Sequence, residues 1–252
     1  MSVKELIDDI RNKTKTRINE SEAKALLKEF GVPVVQEAVA QDRQEALEAA
    51  GRFGYPVVVK GLGAELAHKT ERGLVHLNLN VPRTVEKALD AISASAGNDL
   101  EGFLIQPQIQ GKRELVAGLF RDRQFGPVVM FGIGGVFTEA LADVTFRLAP
   151  ITEADATDML TEIRAQALLG EYRGEKAINR QHIIQTLQGL SRIGVEIPEI
   201  TEIDINPLLA SSDGRLCAVD ARMIPGDSPS AGKLPPPVSP DAIGAICYRG
   251  SI

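Results

Sequence analysis

Aromatic residues are scarce in this 252-residue chain: Trp is absent, and Phe, Tyr and Trp together make up 4%. Any core must therefore be aliphatic, built from Val, Ile, Leu and Ala. Basic charge is also short, with 28 Lys and Arg against 34 Asp and Glu, a formal net charge of −6. A surface that tracks nucleic-acid phosphates needs a basic excess, so nucleic acid is not an expected partner. The two cysteines, Cys217 and Cys247, have neither CxxC nor metal-ligand spacing. They fit a reducing cytoplasm, and Cys217, inside an apolar run, reads as a plain core residue. No stretch approaches the ~18 apolar residues of a membrane span, and Met1 to Leu6 lacks the apolar region of a secretory signal, so no membrane role is expected.

What remains is an ordinary globular composition, 44% hydrophobic and 25% charged. The length suits one sizeable domain or two packed subdomains. Helices are expected at Glu22–Phe30, capped by Asn19 or Ser21 and ended by Gly31, and at Asp42–Phe53, Val85–Ala94, Glu153–Ala165 and Arg180–Ile193. Strands are expected at Val34–Ala38, Tyr55–Lys60, Val75–Leu79, Gly102–Gln108, Glu114–Phe120 and Val128–Phe131, with pairing stopping or bulging at Pro107. Alternating α and β segments call for helices covering a sheet. A break is expected near residue 100, where Ser93 to Asn98 is small and polar, giving subdomains 1–100 and 101–225. The segment 226–252, with Pro235-Pro236-Pro237, reads as a tail or linker.

Chemistry concentrates in three places. Near the end, Asp204-Ile205-Asn206-Pro207 and Ala218-Val219-Asp220 set an amide and a carboxylate on neighbouring apolar strands. Two such oxygens suit Mg²⁺, which takes a few protein ligands and otherwise water and phosphate. The proline holds Asn206 extended and so fixes its direction. Second, Lys60 ends a β-branched strand, where its ammonium can meet a phosphate oxygen; alone, a strand-end lysine is more readily a surface residue. Third, the loop from Gly61 to Gly73 carries His68, Lys69, Arg72 and Gly73, with Glu65 and Glu71 offsetting the two cations. Amides near Gly73 can wrap an anion. Neutral imidazole, the dominant form near pH 7, can accept a phosphoryl group. His76 and His182 read as hydrogen-bonded structural residues. Gly132-Ile133-Gly134-Gly135 lacks a full dinucleotide fingerprint, and close backbone approach is the simpler account. Glu139 follows, either structural or a partner for an imidazole.

These stretches, with Arg113-Glu114-Leu115-Val116-Ala117-Gly118, Gln124 to Phe137 and Phe146-Arg147-Leu148-Ala149-Pro150, make the chain resemble a known family from about Asn19 to Pro225. It resembles the ATP-grasp β subunit of NDP-forming acyl-CoA synthetases, such as ADP-forming acetate–CoA ligase, and more distantly the succinyl-CoA synthetase β subunit. The resemblance implies an α+β (α/β) ATP-grasp fold with nucleotide held between two subdomains. It implies ATP/ADP and Mg²⁺ as cofactors, Lys60 on phosphate, and the Leu104–Ile109 segment, with Gln106, Gln108 and Ile109, as the adenine hinge. Glu114 would lie near ribose and phosphates, and Asn206 and Asp220 would hold Mg²⁺. His68 would take a phosphoryl group from a partner's phosphohistidine and pass it to ADP, in acid + CoA + ATP ⇌ acyl-CoA + ADP + phosphate. One position departs from the family pattern: Leu74 replaces a second glycine after Gly73, where Arg72 could supply a charge-assisted bond instead.

The chain shows no CoA-binding fingerprint, so the resemblance implies a separate α subunit carrying the CoA-binding and phosphohistidine domains, by analogy in an α2β2 assembly; a fused protein cut at the Pro-rich tail would read the same. A stand-alone ATP-grasp carboxylate–amine ligase and a non-catalytic nucleotide-sensing subunit are the alternatives the residues leave open.

Overall fold

The computed structural model describes residues 2–64, 66, 69–135 and 143–226. The expectations for His68, Glu139 and 227–252 fall outside these residues.

Two helices open the chain. Ser2 caps α1 (Val3–Arg11) in a reciprocal box with Glu5, and Leu6 and Ile10 of α1 are buried. This helix is additional to the expected elements. Asn19 caps α2 (Glu20–Glu29) through an equivalent box with Glu22, and Gly31 beyond its end takes the expected left-handed conformation (φ 82°). The box starts α2 at Glu20, two residues before the expected start.

A small antiparallel sheet follows. Its strands are β1 (Ala38–Ala40), β2 (Val57–Leu62), β3 (Val75–Leu79) and β4 (Gly102–Pro107), in spatial order β1-β4-β2-β3. Helices α3 (Arg43–Phe53) and α4 (Pro82–Ala96) pack on it. Val57 and Val59 face their aliphatic core, so Val58 and Lys60 alternate to the opposite face. Three expectations change here. The expected Val34–Ala38 strand is shifted: Val34 makes only an isolated bridge to Ala218, and the ladder starts at Ala38, because the segment crosses between two sheets. Lys60 does not end its strand, since β2 runs on to Leu62. Gly102–Pro107 does not open a second unit but pairs with β1 and β2, so the crossing to the next sheet falls at 108–112. The strand ends at Pro107, although the Gln108 amide still donates to the Pro56 carbonyl (3.0 Å).

The larger sheet contains β5 (Arg113–Asp122), β6 (Gly126–Ile133), β7 (Val144–Leu148), β8 (Ile200–Ala210) and β10 (Arg222–Pro225), in order β10-β8-β5-β6-β7, with β9 (Leu216–Ala218) also paired to β8. One face, with Leu115, Ala117, Leu119, Val129, Phe131, Ile203 and Ile205, packs against α5 (Glu153–Glu162), α6 (Arg180–Glu196), α1 and α2. The N-terminal helices therefore belong to this second core. Glu114, Val116 and Gly118 of β5 alternate to the other, open face.

The strand β7 is additional to the expected elements. The helix α5 stops three residues before the expected Ala165 because the Asp143 carboxylate accepts from the amides of Arg164 (2.8 Å) and Ala165 (2.9 Å). Gly132 and Ile133 lie inside β6 rather than in a loop. Close approach does explain the glycines: a Cβ on Gly132 would lie 2.6 Å from the Asp143 carbonyl oxygen. No helix among the described residues is long and apolar enough to cross a membrane.

Candidate active site

Strand register places the amide and the carboxylate opposite each other. Leu208 faces Ala218 and Asp204 faces Arg222, one continuous register shared by β9 and β10. Asn206 therefore faces Asp220 in the gap between β9 and β10. On the other side of β8, Leu115 faces Leu208 and Ala117 faces Ile205, so Asn206 and Pro207 together oppose Val116. That bulge re-aims a side chain at the point where the ladder opens. Asn206 is exposed and Asp220 half-buried. Burial pushes the neighbouring Asp204 carboxyl above its ordinary value, helped by the negative charges of Glu202 and Asp220. Among the described residues no group of three or more His, Cys, Asp or Glu is placed to hold a metal. Two oxygens beside crowded carboxylates are nevertheless a donor set that fits Mg²⁺, which completes its shell with water and phosphate.

Lys60 is 3% exposed. Its ammonium donates to Glu20 Oε1 (2.7 Å), the Val219 carbonyl (2.8 Å) and Asp220 Oδ2 (3.0 Å). An ammonium has three N–H donors, so all are engaged. Burial would lower the lysine's pKa, but Glu20 and Asp220 hold it above the ordinary value. Lys60 thus lies directly beside the carboxylate that faces Asn206. A phosphate oxygen must displace one of its acceptors, and Asp220, with 34% of its side chain exposed, is the accessible one.

Glu20 is the hub of this cluster. It also pairs with Lys24 (2.8 Å) and Lys69 (2.6 Å). Burial would raise its pKa, but Lys60, Lys24 and Lys69 hold it far below the usual carboxylate range. Lys24 extends the network to Gln106 Oε1 (3.3 Å) and ion-pairs with Glu37, whose Oε2 lacks a well-directed hydrogen bond. The carboxyl of Glu37 is pushed up by burial in spite of Lys24. Glu20, Lys24 and Glu37 were not singled out in the sequence. Glu20 and Lys24 have the i,i+4 spacing common on solvated helix faces, and only burial distinguishes them.

The other candidates divide. Lys69 joins the cluster, whereas Arg72 lies 3.9 Å from Asp99 and does not reach it. Gly73 adopts φ 67°, and its N–H donates to the Thr70 carbonyl (3.1 Å), so that amide closes a turn rather than standing open to an anion. Gln106 is buried. Gln108 is pinned to Asn78 through both side-chain atoms (2.6 and 2.8 Å), and Ile109 is half-buried beside it. Glu114 is half-buried on the open face, and a Cβ on Gly135 would meet its Oε2 at 3.2 Å. His76 Nε2 lies 3.1 Å from the Gly73 carbonyl oxygen, and His182 Nδ1 accepts from the Leu216 amide (3.2 Å), both structural contacts.

Burial pushes the Cys217 thiol up to about 11. Cys217 is half-buried rather than the plain core residue expected. Only the thiolate reacts, so native Cys217 should alkylate roughly tenfold or more slowly than the unfolded chain's Cys217, read by mass mapping. Equal rates would contradict the raised thiol.

A twin-sheet frame with a lysine, a carboxylate and an amide converging between its parts defines an ATP-grasp protein. The ATP-grasp domain family matches residues 9–224. The chain is 43% identical over 210 residues to the β subunit of ADP-forming acetate–CoA ligase I of Pyrococcus furiosus, covering 81% of this chain and 90% of that one. It is 35% identical over 221 residues, 86% of this chain, to ADP-forming 4-hydroxybutyrate–CoA ligase of Nitrosopumilus maritimus, but spans 32% of that longer protein. Among solved structures, acetyl-coenzyme A synthetase 1 of Ca. Korarchaeum cryptofilum, in complex with coenzyme A and Ca-AMPCP, matches with TM-score 0.83 and 38% identity, over 89% of this chain and 100% of that one. The same enzyme with Mg-AMPPCP, its phosphohistidine segment pointing towards the nucleotide binding site, matches over the same shares of the two chains with TM-score 0.76 and 36% identity. The chain belongs to the ATP-grasp family, in the branch of the ADP-forming acyl-CoA synthetase β subunits.

Proposed function

We propose that this chain is the nucleotide-binding subunit of an ADP-forming acyl-CoA synthetase, relaying a phosphoryl group between a partner subunit and ADP. The observation that carries it is Lys60 bonded to Asp220 opposite Asn206: a cation, a carboxylate and an amide oxygen at one point of the cleft. The relatives supply the reaction, acid + CoA + ATP ⇌ acyl-CoA + ADP + phosphate.

His68 is the relay in this reading. In the ATP-forming direction its ring nitrogen attacks the phosphorus of the partner's phosphohistidine, breaking that N–P bond and forming its own. A β-phosphate oxygen of ADP then takes the phosphoryl group, leaving His68 neutral. Each transfer moves one P–N or P–O bond and is reversible. Lys60 neutralises phosphate charge in exchange for its bond to Asp220. Asn206 and Asp220 would hold Mg²⁺, whose charge would offset that of the nucleotide phosphates. Gln106, Gln108 and Ile109 line the adenine side through the β4–β5 crossing, and Glu114 faces the ribose and phosphates. Lys69 acts from the loop. Arg72 pairs with Asp99 and the Gly73 amide with the Thr70 carbonyl, which supports loop shape rather than phosphate contact as their part.

CoA and acyl binding, with the first phosphohistidine, belong to an α subunit, and two of each chain form the assembly. Purification from the source cell tests this. We expect a co-purifying chain with a CoA-binding domain, and acid-labile, base-stable phosphate mapping to His68. ATP hydrolysis by the chain alone, dependent on an acid and an amine, would instead show a carboxylate–amine ligase.

A further inference from the structure

Glu20 sets one carboxylate against three ammonium groups while only 2% of its side chain is exposed. Buried ion groups are poor stabilisers in themselves, and apolar residues of similar volume often serve a core as well. What this cluster supplies is geometry. Oε1 accepts from Lys60, in β2, and from Lys24, in its own helix. Oε2 accepts from Lys69, the residue that follows His68 in the chain.

Lys69 is also where the end of the loop closes. The Leu74 amide donates to the Lys69 carbonyl (2.8 Å), and the Gly73 amide to Thr70 (3.1 Å). The Gly61 amide then donates to the Leu74 carbonyl (2.9 Å), tying the loop's exit to its entry beside Lys60. A single carboxylate thus grips the loop at Lys69 and the strand at Lys60. Glu20 itself is held by its place in the first turn of α2, where the capping box fixes the backbone and the helix N-terminus favours negative charge.

We propose that Glu20 is a positioning residue for phosphoryl transfer, holding the His68 loop in register with Lys60 through Lys69. This rests on the relay reading of the site. Neither the substrate nor the metal touches Glu20 in this role; it acts through the two lysines.

The test uses the full chain with its partner subunit and two variants, Glu20→Gln and Lys69→Met. Lys69→Met cuts the loop arm and leaves Glu20 with Lys60 and Lys24, so its hydrogen exchange decides the anchoring alone if Glu20→Gln does not fold. Hydrogen exchange at the Gly73 and Leu74 amides should accelerate by about tenfold or more in both variants, with α4 amides unchanged. The kcat should fall by about tenfold or more while KM for ADP shifts less than about threefold, because ground-state binding survives and alignment does not. Unchanged exchange at Gly73 and Leu74 in Lys69→Met, or unchanged kcat despite faster exchange, overturns the proposal. If the wild-type pair shows no ADP-forming turnover, the relay reading fails, and the exchange data still decide whether Glu20 anchors the loop.

Discussion

His68→Asn should abolish turnover with the partner subunit, by about 10³-fold or more, and leave the affinity for ADP within about threefold. Asn is close in size and polarity but has no nucleophilic ring nitrogen, so the covalent intermediate cannot form. ADP binding does not need the imidazole, since charge neutralisation falls to Lys60 and the metal ligands. The loop should keep its anchor as well, because Lys69 reaches Glu20 through its own ammonium (2.6 Å) whatever its neighbour carries. Two measurements separate the outcomes: steady-state acyl-CoA formation, and transfer of label from γ-labelled ATP to the β-chain loop. Loss of both with retained ADP binding is the expected pattern. Turnover within a few-fold of wild type would end the relay proposal and leave this chain only a nucleotide-binding role.

The legible parts of this site are those that local pattern determines. Asn206 and Asp220 were readable because apolar alternation on β8 and β9 sets which residues share a register, and Leu208 opposite Ala218 carries that register through the gap. Asn19 and Gly31 were readable as helix punctuation, and Ser2 with Glu5 could have been, since their spacing is a capping box followed by Leu6 and Ile10. Val144, Phe146 and Leu148 alternate visibly too, although β7 was not expected. The illegible parts depend on distant partners. Nothing local tells that Gly102–Pro107 pairs back to β2, or that the Asp143 carboxylate strips amides from the end of α5. Glu20 and Lys24 have the spacing of a solvated pair, and their meaning arises only when β2 and the loop close over them.

That burial makes Lys60 the residue whose loss should cost most in the fold and site together. Lys60→Met keeps the length of the side chain and removes its charge. Glu20, Asp220 and the Val219 carbonyl each lose a donor within 3.0 Å. Removing one partner of a buried ion pair costs about 3–5 kcal/mol. Glu20 keeps Lys24 and Lys69, so the loss should fall at the low end, about 3 kcal/mol, a drop in Tm of roughly 6–12 °C for a chain of this size. Because Lys60 also neutralises phosphate in the proposed reaction, the affinity for Mg-ADP should fall by about 10–100-fold, the worth of one charge-assisted bond. Lys60→Arg should not restore it, since a planar fork cannot point three donors at acceptors grouped around a single tetrahedral ammonium. Calorimetry of unfolding and titration with Mg-ADP check the two arms separately. A large drop in Tm with unchanged nucleotide affinity would confine Lys60 to the architecture and move phosphate neutralisation elsewhere in the cleft. An unchanged Tm would contradict the buried network itself, because Glu20 could not lose that ammonium at no cost while 2% exposed.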